Sequence, residues 1–168
     1  MCSSDLDWLV ARYAQMMREA IQDRPSDMTI AMHLCRGNFQ SAWMAEGAYD
    51  PVADTVFNQT GIDVFFLEYD TERAGDLAPL RLLPKGNQRV MVGFVTTKSG
   101  ELESPDTLRR KFDEASKYAD LEQLGIAPQC GFASTEEGNR LTEDEQKQKR
   151  SEERRVGKEG RSRWSPEQ

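Results

Sequence analysis

The sequence predicts an α/β fold, and within that class a partial (β/α)8 TIM barrel of about four βα units; three observations lead there. Strand-like and helix-like stretches alternate four times along the chain, the order expected of parallel strands joined by crossover helices. No G-x-G-x-x-G and no Walker motif is present, which argues against a nucleotide-binding doubly wound sheet. The chemically unusual residues His33, Cys35, Glu68 and Cys130 all fall where a predicted strand ends, the end at which a barrel collects its functional groups. A complete barrel takes about 250 residues, so four units are half of one.

The elements follow in order. Over 7–23, Leu9, Tyr13, Met16, Met17 and Ala20 keep the three-to-four spacing of one buried helical stripe, and Arg24-Pro25-Ser26 ends it. The methionines of that stripe read as core packing. Residues 28–35 read as a buried strand left through the turn Arg36-Gly37-Asn38. A short helical piece carrying Trp43 is expected over 40–46. A second helix runs over 51–57, with Asp50 as cap and Pro51 at its first position.

The run Val64-Phe65-Phe66-Leu67-Glu68 is a strand apolar enough to be covered on both faces. Residues 69–76 form a charged loop whose Asp70 and Glu72 read as solvated. A short helical stretch over 77–83, a valine-rich strand over 89–96 and a helix over 105–119 come next. That helix starts at Ser104-Pro105-Asp106 and carries the stripe Leu108, Phe112, Ala115, Ala119. The strand 124–127 ends in Pro128-Gln129-Cys130-Gly131. Thr142 with Glu145 three residues on is a capping box, so a last helix begins there and should run past Lys149.

At 168 residues, 38% hydrophobic and net charge -7, the chain reads as a soluble globular domain with a real core. The acidic balance excludes nucleic acid or an anionic membrane surface as the main partner, since either needs a clustered basic face. No run approaches the roughly 18 apolar residues of a membrane span, and the start lacks the basic-then-apolar plan of a signal peptide. Three irregularly spaced cysteines make no disulfide framework and fit reduced thiols in the cytoplasm.

The ends read differently from the middle. Residues 150–168 hold a single aliphatic residue, Val156, and no strand or helical period, so composition predicts a disordered tail without packed contacts, whose deletion leaves thermal stability unchanged. Back-translated, that stretch resembles read-through into a common sequencing adapter, and Cys2-Ser3-Ser4-Asp5-Leu6 resembles the opposite adapter end. The expected organisation is therefore an adapter-derived extension over 1–6, a partial catalytic barrel over 7–149 cut from a longer gene, and an adapter-derived tail over 150–168, with Cys2 and Trp164 carrying no function.

His33 and Cys35 are two apart, so on an extended strand they project from one face, as two ligands of one soft metal such as zinc would. Alone, the pair reads more readily as a packed imidazole beside an inert thiol. Glu68 and Cys130, each at another strand end, are the further ligands a metal requires.

The segments His33-Leu34-Cys35-Arg36-Gly37-Asn38-Phe39, Phe66-Leu67-Glu68-Tyr69-Asp70, Gly100-Glu101-Leu102-Glu103-Ser104 and Pro128-Gln129-Cys130-Gly131-Phe132-Ala133-Ser134 closely resemble the C-terminal catalytic barrel of cobalamin-independent methionine synthase, above all its shorter single-barrel relatives. The resemblance implies a C-terminal half-barrel with zinc on His33, Cys35, Glu68 and Cys130. It implies the activity of a 5-methyltetrahydropteroyltriglutamate-homocysteine S-methyltransferase: methyl transfer from polyglutamylated 5-methyltetrahydrofolate to homocysteine, giving methionine. The family's upstream half, which supplies most substrate contacts, has no counterpart here, so the catalytic and substrate-binding residues stay unnamed and the chain alone should associate and show no turnover. Arg36, Asn38 and Tyr69 lie near enough to support the ligands. Two other readings stand beside this one: a related zinc methyltransferase using a corrinoid donor or another thiol, and a non-catalytic protein with a closed structural zinc site.

Overall fold

The computed structural model describes residues 3–133 and 135–164. Four strands, β1 (Ala31–Leu34), β2 (Val64–Glu68), β3 (Arg89–Val95) and β4 (Leu124–Pro128), pair in parallel in the order β1-β2-β3-β4. Spatial order equal to chain order is the arrangement of a barrel segment, since a doubly wound sheet reverses direction at its switch point. The crossovers carry α2 (Ala53–Gln59), a 3-10 turn (Ala78–Leu82) and α3 (Pro105–Ala115), with α1 (Ser3–Ile21) before the sheet and α4 (Glu143–Trp164) after it. No helix among the described residues is long and apolar enough to cross a membrane.

The alternation of each strand sorts its side chains. Phe65 and Leu67 of β2, Val90, Val92 and Phe94 of β3 and Ile126 of β4 are buried in the helix-covered core with Phe57, Leu80, Leu108 and Phe112. The opposite face carries a row set by the register, His33 beside Phe66 beside Met91 beside Gly125. The candidate ligand His33 stands on this second face. Val64 and Phe66 there are half-buried, so β2 is less covered than its apolar run suggests. Edge strand β1, expected to be buried, is half exposed, because no strand pairs with its outer side in the described sheet.

Caps and turns explain most boundaries. The Ser104 hydroxyl accepts the Thr107 N–H at 3.1 Å, with Pro105 next, starting α3 as the sequence predicts. The Thr142–Glu145 capping box forms: Thr142 N–H donates to Glu145 Oε2 at 2.7 Å and Glu145 N–H to Thr142 Oγ1 at 3.3 Å. Helix α2 begins later than expected, at Ala53, because the Tyr49 carbonyl takes the N–H groups of Val52 and Ala53 in a preceding turn. The helix expected over 40–46 is absent. Phe39 and Ala42 instead exchange two backbone hydrogen bonds of 2.8 Å across Gln40 and Ser41, both at positive φ (47° and 69°), the geometry of a tight hairpin turn.

Two further expectations are corrected. The stripe of α1 does not enter the core: Tyr13, Met16 and Met17 are exposed, whereas Ala14 is buried and Ile21 packs against the core. A helix that touches the body mainly through α2 buries a narrow side, and here that side is rotated from the apolar one. Residues 150–164 are not a disordered tail but the continuation of α4. Lys149 is fully buried, its ammonium held by Glu103 at 3.1 Å and by the Glu101 carbonyl. Two turns later Val156 is 4% exposed, and Gly157 lies against Ile126. A helix anchored at one end propagates at little cost, and the Glu152–Arg155 ion pair at 2.8 Å supports it.

Candidate metal centre

Cys35 follows β1 directly, Glu68 ends β2, and Cys130 lies two residues beyond β4, so parallel pairing alone brings the strand ends together. Gly93 makes the approach possible. A Cβ there would stand 2.7 Å from the Leu67 carbonyl oxygen and 3.2 Å from the Gln129 Cα, and the register slips between Gly93 and Val95. The bulge lets the end of β4 lean across β3 toward the end of β2.

The donor atoms of His33, Cys35 and Cys130 all lie within 4.8 Å of one another. His33 and Cys35 are exposed and Cys130 is buried, and both thiols are free. Burial pushes the Cys130 thiol up to about 12, with further upward pushes from Cys35 and Glu68 that Lys98 opposes. Partial desolvation holds the His33 imidazole below its usual range, Lys98 adding to this and Glu68 opposing it. The ring is thus neutral with a lone pair to give. Two thiols, of which buried Cys130 resists ionisation, beside an imidazole form a donor set that a soft dication satisfies, so these residues fit zinc.

Glu68 stands beside this group, outside the three-donor cluster. It is fully buried, and its Oε1 accepts from Arg73, from Lys98 Nζ at 3.0 Å and from Gln129 Nε2 at 3.2 Å. Its Oε2 accepts the Arg36 N–H at 2.8 Å. The sequence therefore names four residues at one place, and the structure clusters the ligand atoms of three.

The surroundings contain residues that sequence reasoning missed. Tyr49 joins β1 to β2 through its hydroxyl, which donates to the Leu34 carbonyl at 3.0 Å and accepts the Glu68 N–H at 2.8 Å. Lys98 bridges Glu68 and the Gln129 Oε1 (3.2 Å). Its position just beyond β3 was the available signal, since every strand end of a barrel is a place for function. Arg73 pairs with Glu68 and, at 3.3 Å, with Asp70, whose side chain is 4% exposed rather than solvated.

Of the three supporting residues named from sequence, Arg36 acts through its main chain on Glu68 and through its guanidinium on the Tyr49 hydroxyl (3.0 Å) and the Gly47 carbonyl. Asn38 Nδ2 donates to the Gly131 carbonyl at 3.2 Å, tying the loop after β1 to the one after β4. Tyr69 instead packs its ring at a tilt against that of Tyr49, with ring centroids 5.1 Å apart.

Comparison with known proteins accords with this geometry. Residues 2–144 match the family described as cobalamin-independent synthase, catalytic domain. The uncharacterized proteins YxjG and YxjH of Bacillus subtilis (strain 168) are 52% identical over 140 residues and 48% identical over 142 residues. These alignments take in 83% and 84% of this chain and only 37% and 38% of the relatives, so the chain spans well under half their length. A crystal structure from Listeria monocytogenes, described as a vitamin-B12-independent methionine synthase, superposes with a TM-score of 0.67 at 33% identity, over 94% of this chain and 42% of the other. The B12-independent methionine synthase of Shewanella sp. W3-18-1, solved with selenomethionine, shares the fold (TM-score 0.70, 19% identity, 94% and 44% of the two chains). The four-stranded sheet is accordingly part of a TIM barrel, and the chain belongs to the cobalamin-independent synthase catalytic-domain family.

Proposed function

We propose that this chain is the metal-binding part of a zinc-dependent methyltransferase that passes a methyl group from 5-methyltetrahydrofolate, in its polyglutamylated form, to homocysteine, giving methionine in the cytoplasm. The observation that carries the reading is the convergence of His33, Cys35 and Cys130 donor atoms within 4.8 Å at adjoining strand ends. Glu68, beside them, is the proposed fourth ligand.

A free thiol has a pKa near 8.5 and is mostly protonated at neutral pH; zinc, when bound, supplies the positive charge that keeps a substrate thiol deprotonated and oriented. The chain's residues set the terms. Cys35 and Cys130 bring soft, electron-rich donors, so a substrate thiolate beside them keeps more nucleophilicity than at an all-histidine site. Neutral His33 adds a donor without charge. The Arg36 N–H and the Asn38 amide hold the loops after β1 and β4, fixing Cys35 and Cys130 relative to each other. Substrate-binding groups of the remaining barrel lie outside this sequence, and we propose that the chain by itself does not turn over. The adapter origin of residues 1–6 and 150–168 is part of the same reading, and the uninterrupted genomic reading frame tests it.

A second methyl donor is favoured by one observation. The 140 matched residues make up 37% of YxjG, a length that holds one barrel of about 250 residues but not two, so a methyl donor that needs no second barrel is the reading to set beside the folate. A corrinoid-borne methyl group, or another methyl donor, is the alternative source.

Assay of the full-length protein with homocysteine and each methyl donor separates the two. X-ray absorption at the zinc edge should show a new sulfur ligand when homocysteine is added. An unchanged ligand set would leave only a structural zinc site.

A further inference from the structure

One cavity lies away from the metal-binding face. Side chains alternate along a strand, so Tyr69, next after Glu68, falls on the helix-covered side and joins the core cluster with Phe94 and Leu77. There the loop after β2 and helix α3 line an open cavity of about 460 Å3, with Tyr69, Phe94 and Leu77 in its wall and the acidic residues Glu72, Asp76 and Glu114 around it. That volume is the size of a small-molecule site. We propose that this cavity binds a small aliphatic diamine or polyamine, its ammonium groups at the three carboxylates and its alkyl chain along the apolar wall.

Charge selects the sign of the ligand. Lys111 also lines the cavity, but its ammonium is already engaged. It donates to the Asp70 carbonyl at 2.8 Å and the Tyr69 carbonyl at 3.4 Å, and lies 5.5 Å from the centre of the Phe94 ring. Asp70, a fourth acidic lining residue, is turned to Arg73 at 3.3 Å. Glu72 and Glu114 are exposed and enter no ion pair among the described residues, and Asp76 accepts the Ala78 N–H at 2.8 Å. Three carboxylates without a countercharge around one cavity attract a cation and repel an anion.

Shape selects its form. A metal ion needs its ligand atoms gathered at one point, and among the described residues the group so gathered, within 4.8 Å, is His33, Cys35 and Cys130. The cavity's carboxylates come instead from three separate places: the 3-10 turn Glu72–Ala74, the approach to the turn Ala78–Leu82, and α3. That spacing suits charges carried along a chain, with methylene groups against Leu77 and the two rings between them. Tyr69 adds what packing alone does not explain. It is 4% exposed, and its hydroxyl is buried without a hydrogen-bond partner among the described residues. An unmet buried hydroxyl is costly, and Asp76 is close enough to act on it electrostatically. An ammonium group held at Asp76 brings that oxygen an N–H donor.

Calorimetric titration of the 168-residue chain with spermidine at low ionic strength tests the assignment. One equivalent should bind, and n-butylamine, with a single ammonium group, should bind about tenfold more weakly. Glu72→Gln and Glu114→Gln should each weaken spermidine about threefold, the scale of a partly exposed ion pair. Glu122→Gln removes the same charge from an exposed site outside the cavity and should leave the affinity as it was. Tyr69→Phe should weaken spermidine about tenfold without lowering the melting temperature of the ligand-free chain, since the hydroxyl it removes has no partner to lose.

Absence of spermidine binding would overturn the proposal. So would an equal loss in Glu122→Gln, which would reduce the effect to attraction by the net charge of -7. Displacement of spermidine by one equivalent of Mg2+ would make the cavity a metal site instead. Tighter binding of N-acetyl-trilysine amide, which carries the same charge as spermidine, would hand it to the lysines of a protein partner. Either result overturns the small-amine assignment. If Tyr69→Phe lacks a cooperative thermal transition, the two exposed glutamates decide: unchanged spermidine affinity in both Glu72→Gln and Glu114→Gln counts against the site.

Discussion

The Tyr49 hydroxyl accepts the backbone N–H of Glu68 at 2.8 Å while donating to the Leu34 carbonyl at 3.0 Å. One side chain thus stands in for a rung of the ladder where β1 and β2 diverge, at the point where the candidate metal centre begins. Arg36 adds a third bond to the same hydroxyl at 3.0 Å and lies over the ring at 4.3 Å.

Tyr49→Phe should therefore reduce stability by roughly 1–3 kcal/mol, the cost of leaving a buried donor and acceptor unpaired. Urea unfolding checks the size, and zinc affinity should fall with it because the end of β2 is no longer pinned to that of β1. A variant as stable as wild type would show that water replaces the hydroxyl at no cost.

Zinc content separates the four proposed ligands. Cys35→Ser or Cys130→Ser removes a soft donor from a three-donor cluster and should abolish stoichiometric zinc in the purified chain, measured by atomic absorption. Glu68→Gln should leave part of it, since a carboxylate contributes less to a thiolate-rich zinc site and here already has other partners. Equal loss in all three variants would make Glu68 as indispensable as the cysteines.

Much of this was legible in the sequence, and what was not had physical reasons. Strand-end placement of His33, Cys35, Glu68 and Cys130 follows from local apolar runs and their terminators, and the runs are strong. The capping signals of α3 and α4 are local too, and both caps form. Tyr49 and Arg73 were not legible, because their partners are set by how loops fold back over strand ends and not by any period, and Lys98 offered only its position just beyond β3. The stripe of α1 was misplaced because amphipathicity gives the apolar side of a helix but not the side its neighbours offer to cover. Val156 was missed for the opposite reason: a single valine in a charged run has no pattern, and only the register of the anchored helix carries it to Ile126.

Acid should release the start of β1. Desolvation works against ionised Asp63, but the Ile30 N–H (2.8 Å) and the two hydrogen bonds and charge of Arg24 (2.7 and 2.9 Å) outweigh it, and the carboxyl sits below its usual range. A folded pKa below the unfolded value, about 3.9, means that the contribution is complete above the unfolded value and is lost as pH falls through the folded one. Asp63→Asn should show a flatter decline in melting temperature between about pH 4 and pH 2 and little pH-specific difference above pH 5. The effect is modest at a side chain 34% exposed. Parallel acid limbs for the two proteins would remove Asp63 from the account.

The last prediction concerns the continuation of α4. Val156 is 4% exposed and packs into the core cluster, and Gly157 has no side chain where a Cβ would come 3.2 Å from Ile126 Cγ2. Burying a valine is worth roughly 1.5–3 kcal/mol, less what the frayed end recovers in conformational freedom. Truncation after Arg150 should therefore lower the free energy of unfolding by about 1–2 kcal/mol, whereas composition alone predicts no change. Lys149 stays in both forms, so its ion pair with Glu103 does not confound the comparison. The Gly157→Ala variant sharpens the test. Alanine favours the helix by about 1 kcal/mol over glycine, so at an unpacked position it would stabilise, whereas against Ile126 that gain should be lost to crowding. Unchanged stability on truncation together with a stabilising Gly157→Ala would show that the helix beyond Lys149 stands free of the sheet.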